Sequence, residues 1–296
     1  MPEPGELAPS GGGEAAAGGC ASASDCSEES CSGCPSATGE RPKLEPHASS
    51  NIKHVIAVVS GKGGVGKSLV TTALATSLQR AGRRVGVLDA DITGPSMARA
   101  FGLDEKLRAC ADGILPSVTA EGIQLVSTNL ILPDETTPVL WRGTIISGLV
   151  RQFFQEVLWG ELDYLLIDMP PGTGDVPLTV YQSLPIDGIV IVTAPQGLVS
   201  MIVGKAINMA ETMEVPVLGI VQNMAYFVCP DCGSRHDLFG RGDIAELAEH
   251  YGISLTAEVA IDPEHARKMD AGRAAELELE ELTNFVTGLE AKVSWA

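Results

Sequence analysis

The chain of 296 residues is 45% hydrophobic but only 4% aromatic, and its formal net charge is −18. That length accommodates one large α/β domain or two small ones, with a core of Val, Ile, Leu and Ala of the kind that buried parallel strands prefer. So acidic a chain makes a poor nucleic-acid binder, because neutralising phosphates takes clustered Lys and Arg, and no apolar run reaches the length of a membrane span.

In chain order, residues 1–50 are mostly Gly, Ala, Ser, Pro and Glu. Such a segment cannot bury enough apolar surface to offset its ordering entropy, so a disordered arm is expected ahead of one domain over 51–296. Its opening, MPEPGELAPSGGG, has neither the basic start nor the apolar core of a signal peptide, which makes the cytoplasm the expected location. There, seven cysteines point to metal or redox chemistry rather than disulfides. Cys20, Cys26, Cys31 and Cys34 lie in the arm. They are either scattered thiols or a four-thiolate site, most naturally for an iron–sulfur cluster, that folds only around metal.

From residue 54 the chain reads HVIAVVSGKGGVGKSLVTT. The apolar run 55–59 predicts a strand, which enters a loop containing Gly61, Gly63, Gly64 and Gly66; the loop opens a helix continuing LATSLQRAG. Gly61, Gly66, Lys67 and Ser68 meet the pattern G-x-x-x-x-G-K-[ST]. Residues without Cβ let the N–H groups from Gly61 through Lys62 and Val65 to Gly66 curl around phosphate oxygens, and the dipole of the new helix faces the same anion. Lys67 adds a point charge at the β- and γ-phosphates, and the Ser68 hydroxyl can ligate Mg²⁺. The spacing predicts a nucleoside-triphosphate site.

RRVGVLDAD (83–91) is a second buried strand ending at Asp89 and Asp91, and ITGPSMARAFGL follows as a turn and short helix. Within 105–140 only GIQLVST (122–128) reads as a strand, and TIISGLVRQFFQEVLW (144–159) has helical periodicity. DYLLIDMPPGTGD (163–175) is a third strand running into a proline-glycine loop. GIVIVTAP (188–195) and VPVLGIVQNM (215–224) are further strands, with SMIVGKAINMAETM as the crossover helix between them. YFVCPDCGSRHDLFG (226–240) interrupts the alternation; a helix (243–250), the short strand ISLTAEV, a helix near 262–270 and a terminal helix from about 276 follow. The fold class is therefore α/β, a mostly parallel sheet flanked by helices on both faces, with a CxxC hairpin inserted. Ligands of such sheets lie outside the carboxyl ends of the strands, where all these motifs fall.

Asp168 closes the apolar run LLID, placed to hold Mg²⁺ through water, although an aspartate after a strand is often only a helix cap. Cys229 and Cys232 supply half of a tetrahedral site. His236 as a third ligand gives a zinc knuckle, and the two thiols alone give a reducible pair.

GKGGVGKS resembles the deviant phosphate loop of the ParA/MinD/nitrogenase-iron-protein class of ATPases. The resemblance implies that Lys62 reaches across a dimer to the partner's nucleotide; the plain alternative is a solvated loop charge. It implies that D-x-P-P-G from Asp168 to Gly172 is a switch whose N–H groups sense the γ-phosphate, that Asp91 orients or deprotonates the attacking water, and that Asp89 lies near the metal. It further implies that Asn223 reads adenine and that EVAIDP (258–263) closes over it.

Longer matches, SGKGGVGKS, LDADITGPS, VLWRG (139–143), DYLLIDMPPGTGD, VQNMAYFVCPDCG and the following FG, extend the resemblance over about residues 50–290 to the Mrp/NBP35/ApbC family of iron–sulfur cluster carrier ATPases. That resemblance implies a chain that forms a homodimer or pairs with a close relative and binds ATP with Mg²⁺. It also implies a [4Fe–4S] cluster held on Cys229 and Cys232 of two chains, exchanged with cluster scaffold proteins and apo iron–sulfur proteins. The arm cysteines resemble the NBP35 branch, which carries an additional amino-terminal cluster, but their order, C-x5-C-x4-C-x2-C, departs from that branch's pattern. Two rivals belong to the same class. A ParA/MinD-type positioning ATPase needs a basic patch or a basic terminal helix, whereas AAELELEELTNFVTGLEAKV is acidic on its polar side, so neither a nucleic-acid nor a membrane partner is expected. An electron-donating ATPase similar to the nitrogenase iron protein would use the same four-thiolate dimer site.

Overall fold

The computed structural model describes residues 43–92, 94–131, 143–195, 199–240 and 244–294. The arm cysteines Cys20, Cys26, Cys31 and Cys34, and all of VLWRG except Gly143, lie outside the described residues. The elements in chain order are β1 (Asn51–Val59), α1 (Lys67–Arg80), β2 (Val85–Asp89), α2 (Met97–Ala100), β3 (Arg108–Ala109), β4 (Ile114–Leu115), β5 (Ser117–Val118), β6 (Gln124–Val126) and α3 (Gly143–Glu156). The second half adds β7 (Glu161–Asp168), α4 (Asp175–Ser183), β8 (Gly188–Thr193), α5 (Val199–Thr212), β9 (Val217–Val228), β10 (Arg235–His236), α6 (Ile244–His250), β11 (Thr256–Ala260), α7 (Pro263–Asp270) and α8 (Thr283–Val293).

β1 lies at the centre of the sheet, whose order is β10-β9-β8-β1-β7-β2-β6-β5 with β11 also on β9. The ladders of β1 with β7 and β8, of β2 with β6 and β7, and of β9 with β8 and β11 are parallel; β5 and β10 run antiparallel at their edges. Alternation along the central strands sends side chains to two separate cores. Ile56, Val58, Leu166, Val190 and Val192 pack with α1 and α8, whereas Val55, Ala57, Leu165, Ile167 and Ile191 pack with α3, α4 and α5.

Ahead of β1, Leu44 N–H bonds the carbonyl of Ser183 at 2.7 Å and Ser50 Oγ bonds that of Val157 at 3.3 Å. The structure departs from the sequence reading in three places. The stretch after α2 holds the β3–β4 hairpin and β5 as well as β6. α4 is an additional helix, announced only by Asp175 in its first turn and by Val176, Val180 and Tyr181 buried at helical spacing. The terminal helix starts at Thr283 rather than near 276. Before it, Leu277 and Leu279 are extended and buried while Glu278 between them is exposed, so ELEL is a two-residue alternation and not helix.

Candidate functional site

Because β1, β2 and β7 are parallel and in register, their carboxyl ends meet at one edge: Asp168 lies beside Val58 on one side and Asp89 on the other. The phosphate loop leaves β1 there and turns into α1 at Gly66, whose φ of 80° is left-handed. A Cβ on Gly66 would also collide with Asn223 Nδ2, and one on Gly61 with Ile202 of α5. Only glycine satisfies both demands at Gly66. Gly66→Ala is therefore expected to weaken nucleotide binding by at least about tenfold, the equivalent of a single left-handed alanine. Calorimetric titration with ADP measures this.

Asp168 is fully buried and gathers three donors. Ser68 Oγ donates to its Oδ2 at 2.7 Å and Thr71 Oγ1 to its Oδ1 at 2.6 Å, while Lys67 Nζ stands 2.8 Å from Oδ2. The Lys67 contact is an ion pair without hydrogen-bond angles, and the buried ammonium has no other partner among the described residues. A buried cation so underused fits an incoming phosphate. The Ser68 hydroxyl and Asp168 carboxylate are the hard oxygen donors that Mg²⁺ requires, so the donor set fits that ion as well. Asp89, also fully buried, accepts from Ser127 Oγ at 3.0 Å and from the N–H groups of Asp91 at 3.2 Å and Met97 at 3.3 Å. Burial first, and then the neighbouring Asp168 charge, push its carboxyl up to about 7.

The remaining predicted residues fall around this centre. Asp91 is half-buried directly after β2 and follows Asp89 within the same turn. Lys62 is half-exposed and makes no ion pair or hydrogen bond among the described residues. Asn223 is buried and donates through Nδ2 to the carbonyl of Val65 at 3.0 Å, so one amide N–H already braces the phosphate loop. Gly172 N–H, expected to face the γ-phosphate, is bonded to the carbonyl of Ser60 at 2.8 Å. In EVAIDP, Asp262 caps α7 by accepting from Glu264 N–H at 2.8 Å. Thr71 and Ser127 were not flagged by any motif. Thr71 lies one turn beyond Lys67, and because Thr72 and Thr76 are buried on the same helix, nothing in the sequence singles out its hydroxyl.

The CxxC pair occupies a separate place. β9 runs to Val228 and turns back as β10, with Cys229 and Cys232 in the intervening turn. Gly233 N–H bonds the Cys229 carbonyl at 2.8 Å, and Cys229 N–H bonds the Ser234 carbonyl at 2.9 Å. Both thiols are free, with Cys232 exposed. Cys232 Sγ lies 3.2 Å from Ser234 Oγ, and hydrogen bonds from the Ser234 hydroxyl and N–H hold its thiol below the usual range. His236 pairs with Phe227 in the ladder. Among the described residues no three or more His, Cys, Asp or Glu side chains converge as a metal group, and His236 is not gathered with the two thiols. The described helices include none long and apolar enough to cross a membrane.

A family model described as NUBPL iron-transfer P-loop NTPase, of the ParA type, matches residues 51–293. The chain is 49% identical over 234 residues to an iron-sulfur cluster carrier protein of Clostridium perfringens, covering 76% of this chain and 82% of that protein. It is 48% identical over 225 residues to an iron-sulfur cluster carrier protein of Methanocaldococcus jannaschii, covering 75% and 78% respectively. Among solved structures, a nucleotide-binding protein of Archaeoglobus fulgidus in complex with ADP matches with a TM-score of 0.72 at 47% identity, over 79% of this chain and 92% of that one. The cell division ATPase MinD of Pyrococcus furiosus shares the fold, with a TM-score of 0.57 at 21% identity over 82% of this chain and 100% of that one.

Proposed function

Since the chain belongs to the NUBPL iron-transfer P-loop NTPases of the ParA family, and is an ATPase of that fold, we propose that it carries a [4Fe–4S] cluster between two copies of itself and uses ATP to control the transfer. The observation that carries this reading is the half-site: two free thiols at the tip of one hairpin, one of them predisposed to the thiolate, with no third ligand from the same chain among the described residues. A second copy related by a twofold axis supplies the other two thiolates, and four thiolates suit a cubane cluster. Bound by only two groups per chain and close to solvent, the cluster leaves by ligand exchange with the cysteines of an apo-protein.

In the nucleotide cycle, Lys67 exchanges its contact with Asp168 for the β- and γ-phosphates, and the loop N–H groups bind the same oxygens. Ser68 and Asp168 would hold Mg²⁺, which would supply charge neutralisation at the phosphates. Asp91 orients the attacking water, with Asp89 behind it. Asn223 holds the phosphate loop and offers its remaining amide positions to the base. Lys62, which makes no ion pair or hydrogen bond among the described residues, reaches the partner's nucleotide when two copies close. Release of Gly172 from Ser60 lets the switch loop follow the γ-phosphate.

Anaerobic reconstitution with iron and sulfide is the test. The expected product is a dimer with about four iron atoms per pair of chains on the hairpin thiols, counted apart from any iron on the arm cysteines, and it loses that iron to an apo-acceptor in an ATP-dependent reaction. A protein that stays monomeric with ATP, or that binds iron as a single chain, overturns the reading. Delivery of electrons without loss of iron would instead place it with the electron-donating ATPases.

A further inference from the structure

The thiol hairpin is joined to the sheet by little backbone. β10 pairs through Arg235 with Val228 and through His236 with Phe227, and so short a ladder is marginal in water. Arg235 adds the rest. Its guanidinium lies 3.9 Å from the centroid of the Tyr226 ring, its Nη2 donates to Glu258 Oε2 at 2.8 Å, and its Nε donates to Asp237 Oδ1 at 3.3 Å. Glu258 belongs to β11, opposite Gln222 of β9. One side chain therefore ties the returning arm of the hairpin, across β9, to the next strand.

The strand that Arg235 crosses is irregular at this point. From Glu258 to Ala260 of β11 the partner on β9 jumps from Gln222 to Tyr226. Met224, inside that bulge, has a φ of 55°, a left-handed conformation that a non-glycine residue holds only under constraint. Just before it, Asn223 bonds the Val65 carbonyl of the phosphate loop. At its far end, the Tyr226 hydroxyl lies 3.4 Å from Glu281 Oε1 and its carbonyl accepts from Ile261 N–H at 2.6 Å. The bulge thus separates the residue that touches the nucleotide loop from the ring that carries Arg235, on a strand that ends one residue before Cys229.

We propose that Arg235 is a positioning residue that couples the thiol hairpin to the nucleotide state through the Asn223–Tyr226 bulge. This rests on the cluster-carrier reading and names the coupling within it. When nucleotide shifts the phosphate loop, Asn223 moves with it, the bulge takes up the change, and the Arg235–Tyr226–Glu258 tie swings the hairpin as one piece. Without the tie, the hairpin hangs on its short ladder and no longer follows the strand. Exposed ion pairs and cation–π contacts are individually weak, so loss of Arg235 loosens the hairpin without unfolding the sheet.

The test uses the full chain, free of cluster, reduced and anaerobic. Iodoacetamide labelling of the peptide holding Cys229 and Cys232 is followed by mass spectrometry with Mg-ADP and with a non-hydrolysable Mg-ATP analogue. The wild-type labelling rates are expected to differ by about fivefold between the two nucleotides, the lower end of ordinary coupling. Arg235→Ala and Glu258→Gln are each expected to bring that ratio below about twofold, and Arg235→Ala, which lies outside the nucleotide-binding segments, to leave nucleotide affinity unchanged. Arg235→Lys, which keeps the charge for Glu258 but not the planar stack, falls between. Wild-type ratios in both Arg235→Ala and Glu258→Gln overturn the role of Arg235 and leave the carrier reading standing. A wild-type protein whose thiols ignore nucleotide overturns both.

Discussion

Cys229→Ala is expected to bind ADP as tightly as wild type and to retain almost no iron. Each copy contributes two thiolates to the proposed cluster, so the substitution removes two of four ligands from the dimer, and a cubane does not persist on the remainder. After anaerobic reconstitution in a background with Cys20, Cys26, Cys31 and Cys34 changed to serine, so that the arm holds no iron, iron and acid-labile sulfide per chain should fall by more than about tenfold, with loss of the broad visible absorption. The fold has no reason to suffer. Cys229 is a partly exposed turn residue beyond the end of β9 and belongs to neither hydrophobic core, so stability should change by less than about 0.5 kcal/mol. Full iron content in Cys229→Ala would end the bridging proposal, because only Cys232 then remains of the hairpin's two thiols.

Lys67→Met should have the opposite pattern, abolished turnover with intact cluster loading. Removing a preorganised cation from the β- and γ-phosphates costs about 10²–10³-fold in turnover, read by phosphate release. Stability should fall too. Lys67 is the cation beside Asp168, which is buried next to Asp89, and breaking one side of a buried pair typically costs about 3–5 kcal/mol. The pH dependence follows from the sign of the Asp89 shift. Its carboxyl titrates near 7 when folded against an ordinary value of 3.8, so the folded state holds the extra proton and stability declines as pH rises from about 4 toward 7. Lys67 opposes that upward shift. In its absence the decline should steepen and extend to higher pH, so Lys67→Met should lose more stability than wild type between pH 5 and pH 8. Urea unfolding in EDTA at the two pH values measures this. Equal losses in the two proteins would mean that Lys67 does not neutralise the aspartate pair.

The phosphate loop was legible because its chemistry is local. Glycines at fixed offsets, a lysine and a serine must follow one another in the chain to wrap an anion, so Gly61–Ser68 announce the site without any tertiary information. Asp168 and Asp89 were legible for a related reason: each ends an apolar run, and strand ends in a parallel sheet face the ligand. Thr71 and Ser127 were not, since their importance comes from strands and a helix that bring them to Asp168 and Asp89 from elsewhere in the chain. The terminal segment shows how local pattern misleads. ELELEEL has good helix formers throughout, but Leu277 and Leu279 each find a place in the core with the chain extended, and packing overrides propensity.

By itself, the order of residues determined that this protein is an alternating α/β sheet built around a nucleotide loop, with a thiol pair outside the alternation. Those features depend on spacing, and spacing is written in the chain. Only the tertiary structure decided that Lys67, Ser68 and Thr71 converge on a single carboxylate, that Asn223 braces the phosphate loop, and that Arg235 ties the thiol hairpin across a bulged strand. These contacts join residues far apart in sequence, and their geometry exists only once strand order and register bring the partners within hydrogen-bonding reach.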